Sequence, residues 1–255
     1  MRKLFFVFLL LIALVGNCAA ESCGESPVNV EHYEIFSEAL NEDIQFDVYV
    51  PACMDERIIG GYPVLYLLHG QDMGIEVWEE MGLAERMAEA IDEYELPLFL
   101  TVVPQEDNFL LSMSISEFGN AILETVIPFV DSHYNTDASR EGRAIGGISR
   151  GALWAEKLAF ENPETFATLG MHSAPGTPFD DQTLYYIAQD LTPETTPRIF
   201  MDIGGEDYYR MDANKAAEQL TYAGLTYDFV VRPGTHDTAY WQSQLPEYFN
   251  RYFGN

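Results

Sequence analysis

A doubly wound α/β domain with a mostly parallel sheet of about eight strands and helices on both faces is the fold this chain predicts. Short apolar runs recur along it with helical patterns between them, the rhythm of strands covered by crossover helices. A Gly-rich turn with a central serine joins one such run to the next helix, a junction that this class of fold uses. Hydrophobic residues make up 47% of 255 residues, enough for one large packed core and too many for a disordered chain.

The chain starts Met1-Arg2-Lys3, followed by an apolar run over 4–15 and the small residues Gly16, Ala19 and Ala20. The run is about a dozen residues long where a bilayer span needs roughly 20, so the sequence predicts a secretory signal over 1–20 rather than a membrane helix. One domain over 21–255 follows. Val15-Gly16-Asn17-Cys18 offers an alternative, a lipid anchor on Cys18. With the signal removed, Cys23 and Cys53 remain, an even pair in an oxidising compartment, and a disulfide between them is expected.

Residues 44–50 alternate apolar and polar, as a half-buried strand does, whereas 64–68 are apolar throughout, as a strand covered on both faces is. Further short runs at 98–103, 143–146, 168–172, 199–203 and 227–231 predict the rest of the sheet. Leu83, Met87, Ala90 and Ile91 share one helix face; Ala121, Val126 and Phe129 mark a second helix, and Leu153, Leu158 and Phe160 a third. Residues 216–223 and 240–253 predict the last two. The stretch 175–197 reads as irregular, with a short helix and several prolines, and is expected to cover one side of the site.

Against 13 Lys and Arg stand 41 Asp and Glu, a formal charge of -28 that repels phosphate backbones, so nucleic acid is excluded as a partner. No His, Cys, Asp or Glu cluster has the spacing of a zinc or calcium site, and no metal or cofactor is expected.

Gly147-Ile148-Ser149-Arg150-Gly151 follows a predicted strand and precedes a predicted helix. A serine on so sharp a turn exposes its hydroxyl at the helix N-terminus, and the positions beside it must be small. A hydroxyl is a weak nucleophile and needs a base, itself oriented by a carboxylate; in α/β-hydrolases these follow in the order Ser, Asp or Glu, His. Asp207 lies on the loop after 199–203 and His236 on the loop after 227–231, both at the strand ends where ligands gather. Glu206, Asp202 and Asp237 are rival acids, and His69, His133, His172 and His32 rival bases. An oxyanion on the tetrahedral intermediate needs preorganised donors. The amide of Arg150 is one candidate, and that of Gln71, after His69-Gly70, is the other.

Together, Leu67-Leu68-His69-Gly70, Trp78, the serine turn, Gly204-Gly205-Glu206-Asp207 and the run from Gly234 through His236 to Tyr240-Trp241 resemble the family known as Putative esterase. That family groups esterase D, feruloyl and acetyl-xylan esterases, enterochelin esterases and mycobacterial mycolyltransferases. The resemblance covers roughly 33–253. It implies an α/β-hydrolase fold with Ser149, Asp207 and His236 as triad and Gln71 with Arg150 as oxyanion hole. Many members carry Met or another apolar residue where Arg150 stands. Its guanidinium is expected to pair with a nearby acid, the alternative being a substrate carboxylate or phosphate.

Trp78, Tyr208 and Trp241, with Phe109 and Tyr240, are aromatic candidates for a platform under a sugar or aryl acyl group, or for filling core beneath a loop. The expected function is an exported serine esterase acting on short-chain or aryl esters, small or carbohydrate-linked, because 175–197 is broken by Asp180, Asp181, Gln182, Asp190 and Glu194 and offers no apolar lid. An acyltransferase with the same acyl-enzyme, or a catalytically silent binding module, are the alternatives.

Overall fold

The computed structural model describes residues 27–55 and 57–254. The expected signal, Cys18 and Cys23 lie outside these residues; Cys53 is disulfide-bonded. Eight strands build one sheet: β1 (Val28–Ser37), β2 (Glu42–Pro51), β3 (Val64–Leu68), β4 (Leu100–Pro104), β5 (Arg143–Ile148), β6 (Thr168–His172), β7 (Arg198–Gly204) and β8 (Tyr227–Arg232). Their spatial order is β1-β2-β4-β3-β5-β6-β7-β8. Only the pairings of β1 with β2 and β2 with β4 are antiparallel. The remaining strands run parallel, so the C-terminal ends of β3 to β8 share one edge.

β3 and β4 are buried along their whole length, which is why both are apolar apart from Thr101. Their side chains alternate between two cores. Val64, Tyr66 and Leu68 point into one, with α5 (Arg150–Glu161), α7 (Arg210–Ala223) and the helical segment 118–133. Leu65 and Leu67 point into the other, with α1 (Glu76–Glu80), α2 (Leu83–Glu93) and α8 (Thr238–Phe253). The sheet is thereby covered on both faces.

Two features depart from the sequence reading, and the short helix expected within 175–197 is present. β1 has no counterpart among the predicted runs: Val30 packs toward one core but Tyr33 and Ile35 toward the other, so its apolar parity switches at Glu31-His32. The helix marked by Ala121, Val126 and Phe129 consists of α3 (Phe118–Ala121), a π-helical turn (Ile122–Val126) and α4 (Ile127–His133). Within 175–197 lies α6 (Asp181–Asp190), a three-turn helix capped by the Asp180 side chain, which accepts from the Thr183 amide at 2.8 Å, and packed against α7. Among the described residues no helix is long and apolar enough to cross a membrane.

Candidate active site

Ser149 stands between β5 and α5 with φ +52° and ψ -119°, a conformation that is strained for a residue with a side chain. Its flanking glycines leave room for it. A Cβ on Gly151 would lie 2.2 Å from the Leu68 carbonyl oxygen, and one on Gly147 would lie 2.5 Å from the Gly151 carbonyl carbon. The turn is also held from behind, because the Ser149 amide donates to the His172 carbonyl at 2.9 Å.

Three side chains from three strand ends meet there. His236 Nε2 lies 3.0 Å from Ser149 Oγ, and His236 Nδ1 lies 2.8 Å from Asp207 Oδ2. A proton on Nδ1, donated to the carboxylate, leaves the Nε2 lone pair facing the serine hydroxyl. Asp207 Oδ1 accepts from the Tyr209 amide at 2.8 Å, so both carboxylate oxygens are engaged. Asp207 and the His236 side chain are buried, which keeps water from competing for these bonds.

The rival residues are occupied elsewhere. His69 Nε2 accepts from the Glu106 amide at 2.9 Å, so its Nδ1 carries the proton and donates to the Gly70 carbonyl at 2.8 Å; burial pushes its pKa down and favours this neutral form. His172 Nδ1 is 2.6 Å from Asp202 Oδ1, inside the core. His133 stacks on Phe129 at 3.7 Å, and His32 pairs with Asp47 at 2.7 Å. Asp237 caps α8 by accepting from the Tyr240 amide, and Glu206 accepts from the Gly234 amide.

The loop after β3 passes over the serine: a Cβ on Gly70 would stand 3.4 Å from Ser149 Cβ. Gln71 follows directly. Arg150 is the first residue of α5, where a helix has no internal acceptor for its amides and where its dipole favours negative charge. The Arg150 guanidinium pairs with Glu106, a residue not singled out in the sequence, 44 positions away and carrying no motif.

The aromatic platform needs correction. Trp78 is 0% exposed and belongs to the core beneath α1, and Trp241 is 1% exposed, so neither presents a face to a ligand. Trp241 instead packs its ring edge-on against His236, 5.0 Å between centroids, and donates to Ser173 Oγ at 3.0 Å. Tyr208 is 70% exposed, 4.7 Å from the His236 ring. The loop after β4 is tied to the start of α5 where Arg150 Nη2 donates to the Leu111 carbonyl at 2.9 Å, and Leu110 on that loop is 84% exposed. Among the described residues no group of three His, Cys, Asp or Glu side chains is placed to hold a metal.

An endo-1,4-beta-xylanase/feruloyl esterase of Xylanibacter ruminicola is 26% identical over 85% of this chain and 30% of its own length. An esterase of Mycobacterium tuberculosis is 25% identical over 88% of this chain and 50% of its own. The chain thus spans half or less of these curated relatives. Among solved structures, the feruloyl esterase module from Clostridium thermocellum, complexed with sinapinate, superposes with a TM-score of 0.77 at 20% identity, covering 93% of both chains. That likeness establishes the α/β-hydrolase fold. The model of the family described as Putative esterase matches residues 37–252, nearly the whole described domain, and this chain belongs to that family.

Proposed function

We propose that this protein is an exported serine esterase that hydrolyses carboxylic esters through Ser149, His236 and Asp207. The observation that carries the reading is the continuous hydrogen-bonded path from Asp207 through His236 to Ser149. His236 Nε2 takes the hydroxyl proton as Oγ attacks the ester carbonyl carbon. The Arg150 and Gln71 amides receive the oxyanion, and Asp207 stabilises the imidazolium. His236 then returns the proton to the departing alcohol, leaving an acyl-serine that water cleaves by the same steps in reverse roles. Export rests on the N-terminal apolar run.

Short or aryl acyl groups suit the surface beside the His236 ring, where Tyr208 offers an exposed aromatic face of limited extent. Esters of ferulic acid and related carbohydrate-linked acyl groups are the favoured substrates, in line with the feruloyl esterase relative. The test is a panel of aryl esters from acetyl to dodecanoyl with methyl ferulate and acetylated xylan, each run beside Ser149→Ala. Turnover is expected to be highest on acetyl, butyryl or feruloyl esters and near background in the variant, since losing a triad nucleophile removes several orders of magnitude. A variant retaining a tenth of wild-type turnover would overturn the nucleophile assignment. Acylated sugar as main product would make the protein an acyltransferase.

A further inference from the structure

Directly beneath the serine and histidine lies a second carboxylate–imidazole pair, outside the reaction path described above. His172 and Asp202 are register neighbours on β6 and β7, with His172 Nδ1 2.6 Å from Asp202 Oδ1. The other carboxylate oxygen, Oδ2, accepts from Tyr240 OH at 2.6 Å and Tyr248 OH at 2.9 Å. His172 Nε2 meets Tyr252 OH at 2.9 Å, and its ring stacks on Tyr248 at 3.5 Å. Burial and the nearby Asp202 charge push the Tyr240 and Tyr248 hydroxyls well above the usual tyrosine range, so both stay protonated and donate. Among the described residues no guanidinium or ammonium hydrogen-bonds to the Asp202 carboxylate. A carboxylate is stable in such a place only because hydroxyl and imidazole donors replace its lost water.

The network touches both halves of the site. On the nucleophile side, the His172 carbonyl accepts the Ser149 amide at 2.9 Å, and the Asp202 carbonyl accepts the Ser173 amide at 2.8 Å. On the base side, Tyr240 lies four residues beyond His236, and its ring fills the space that a Cβ on Gly234 would occupy, 2.4 Å from that point. Gly234, at φ +144°, begins the turn that carries His236. Asp202 therefore grips the base loop through Tyr240 and the serine turn through β6, from a rigid sheet.

We propose that Asp202 is a positioning residue: through Tyr240 it sets the distance between His236 and Ser149, while Tyr252, which bonds His172 in the same network, does not act on that distance. This rests on the triad reading of Ser149 and His236. Tyr252 OH reaches His172 and sits over Gly146 and Gly170, in the middle of the sheet, and has no hydrogen bond to the loop bearing His236. A general structural role would make the two tyrosines equivalent.

The experiment compares Tyr240→Phe and Tyr252→Phe in the full-length protein, measuring kcat and KM on an aryl butyrate together with the melting temperature. Asp202→Asn is added if it folds, and Ser149→Ala serves as control. Tyr240→Phe is expected to lower kcat about 10- to 100-fold with KM within about twofold, as a base displaced by a fraction of an ångström would. Tyr252→Phe is expected to keep kcat within about twofold while melting at a lower temperature. Unchanged kcat in Tyr240→Phe, or equal losses in both variants, overturns the positioning role and leaves the triad reading standing so long as Ser149→Ala is inactive. Activity in Ser149→Ala removes the triad reading itself, and this inference with it.

Discussion

The Arg150 guanidinium holds the Glu106 carboxylate by two hydrogen bonds, Nε to Oε2 at 2.8 Å and Nη2 to Oε1 at 2.6 Å. The pair joins the first residue of α5 to the loop after β4, and the Glu106 amide continues the link to His69 beside Gly70. Three loops around Ser149 are therefore fastened to one another by a pair that is itself largely buried.

Breaking half of this pair strands a buried charge, which typically destabilises by about 3–5 kcal/mol when no water can replace the partner. Arg150→Met alone is expected to lower stability by about 2–4 kcal/mol, and Arg150→Met combined with Glu106→Gln by clearly less than the sum of the single changes. Chemical denaturation of the four proteins measures the coupling. Strict additivity would show that the pair contributes nothing.

Asp207 is distinguished from its neighbours by its contact with His236. Asp207→Asn is expected to fold and to lose about 10⁴-fold in kcat, because an amide at that place favours the wrong imidazole tautomer. Glu206→Gln and Asp237→Asn, which alter a loop contact and a helix cap, are expected to stay within about tenfold of wild type. Larger losses in either one than in Asp207→Asn would reassign the acid.

Glu156 on α5 is wholly buried; one carboxyl oxygen accepts from Thr177 Oγ1 at 2.8 Å and the other has no hydrogen-bond partner among the described residues. Burial pushes its pKa up to about 8. The folded protein therefore binds a proton that the unfolded chain, with an ordinary glutamate pKa of about 4.3, has already released, so stability falls as pH rises from there to about 8 and this group adds no further slope above. Glu156→Gln is expected to flatten that decline, by an amount on the order of 2–4 kcal/mol between pH 5 and 8. Melting curves across this range check it, and parallel declines in both proteins would count against a buried titrating glutamate.

Cys53 is disulfide-bonded, and Cys23 is the partner expected in the exported protein. Intact mass should place the mature N-terminus near Glu21 and rise by two hydrogens on reduction. A diacylglycerol mass on Cys18 would replace signal cleavage after Ala20 by lipidation.

The parts of the fold legible in the sequence are those where one residue's surroundings follow from its near neighbours. The fully covered strand β3 is a continuous apolar run, and the bounds of β3 and β6 coincide with the runs read at 64–68 and 168–172. In the serine turn Gly147 is crowded locally, by the Gly151 carbonyl carbon 2.5 Å from where a side chain would start, whereas Gly151 is crowded by the distant Leu68 carbonyl oxygen at 2.2 Å. β1 was hidden because its buried face changes parity midway, a consequence of wrapping the edge of the sheet that no period-two pattern records.

The sequence by itself determined the α/β class, the strained serine and the order in which an acid and a histidine follow it, since short-range sterics and chain order are written in consecutive residues. The sequence already pointed to Asp207 as the partner of His236 among rival acids, whereas only tertiary structure showed that Asp202 is engaged by His172. Asp202 lies within β7 and Asp207 on the loop that follows it, and the one reaches His172 while the other reaches His236. Tertiary structure also decided that Trp78 and Trp241 are core while Tyr208 is surface, and that Arg150 answers to Glu106. Those outcomes depend on side chains converging from distant strands, where burial and hydrogen-bond geometry choose among groups that look alike along the chain.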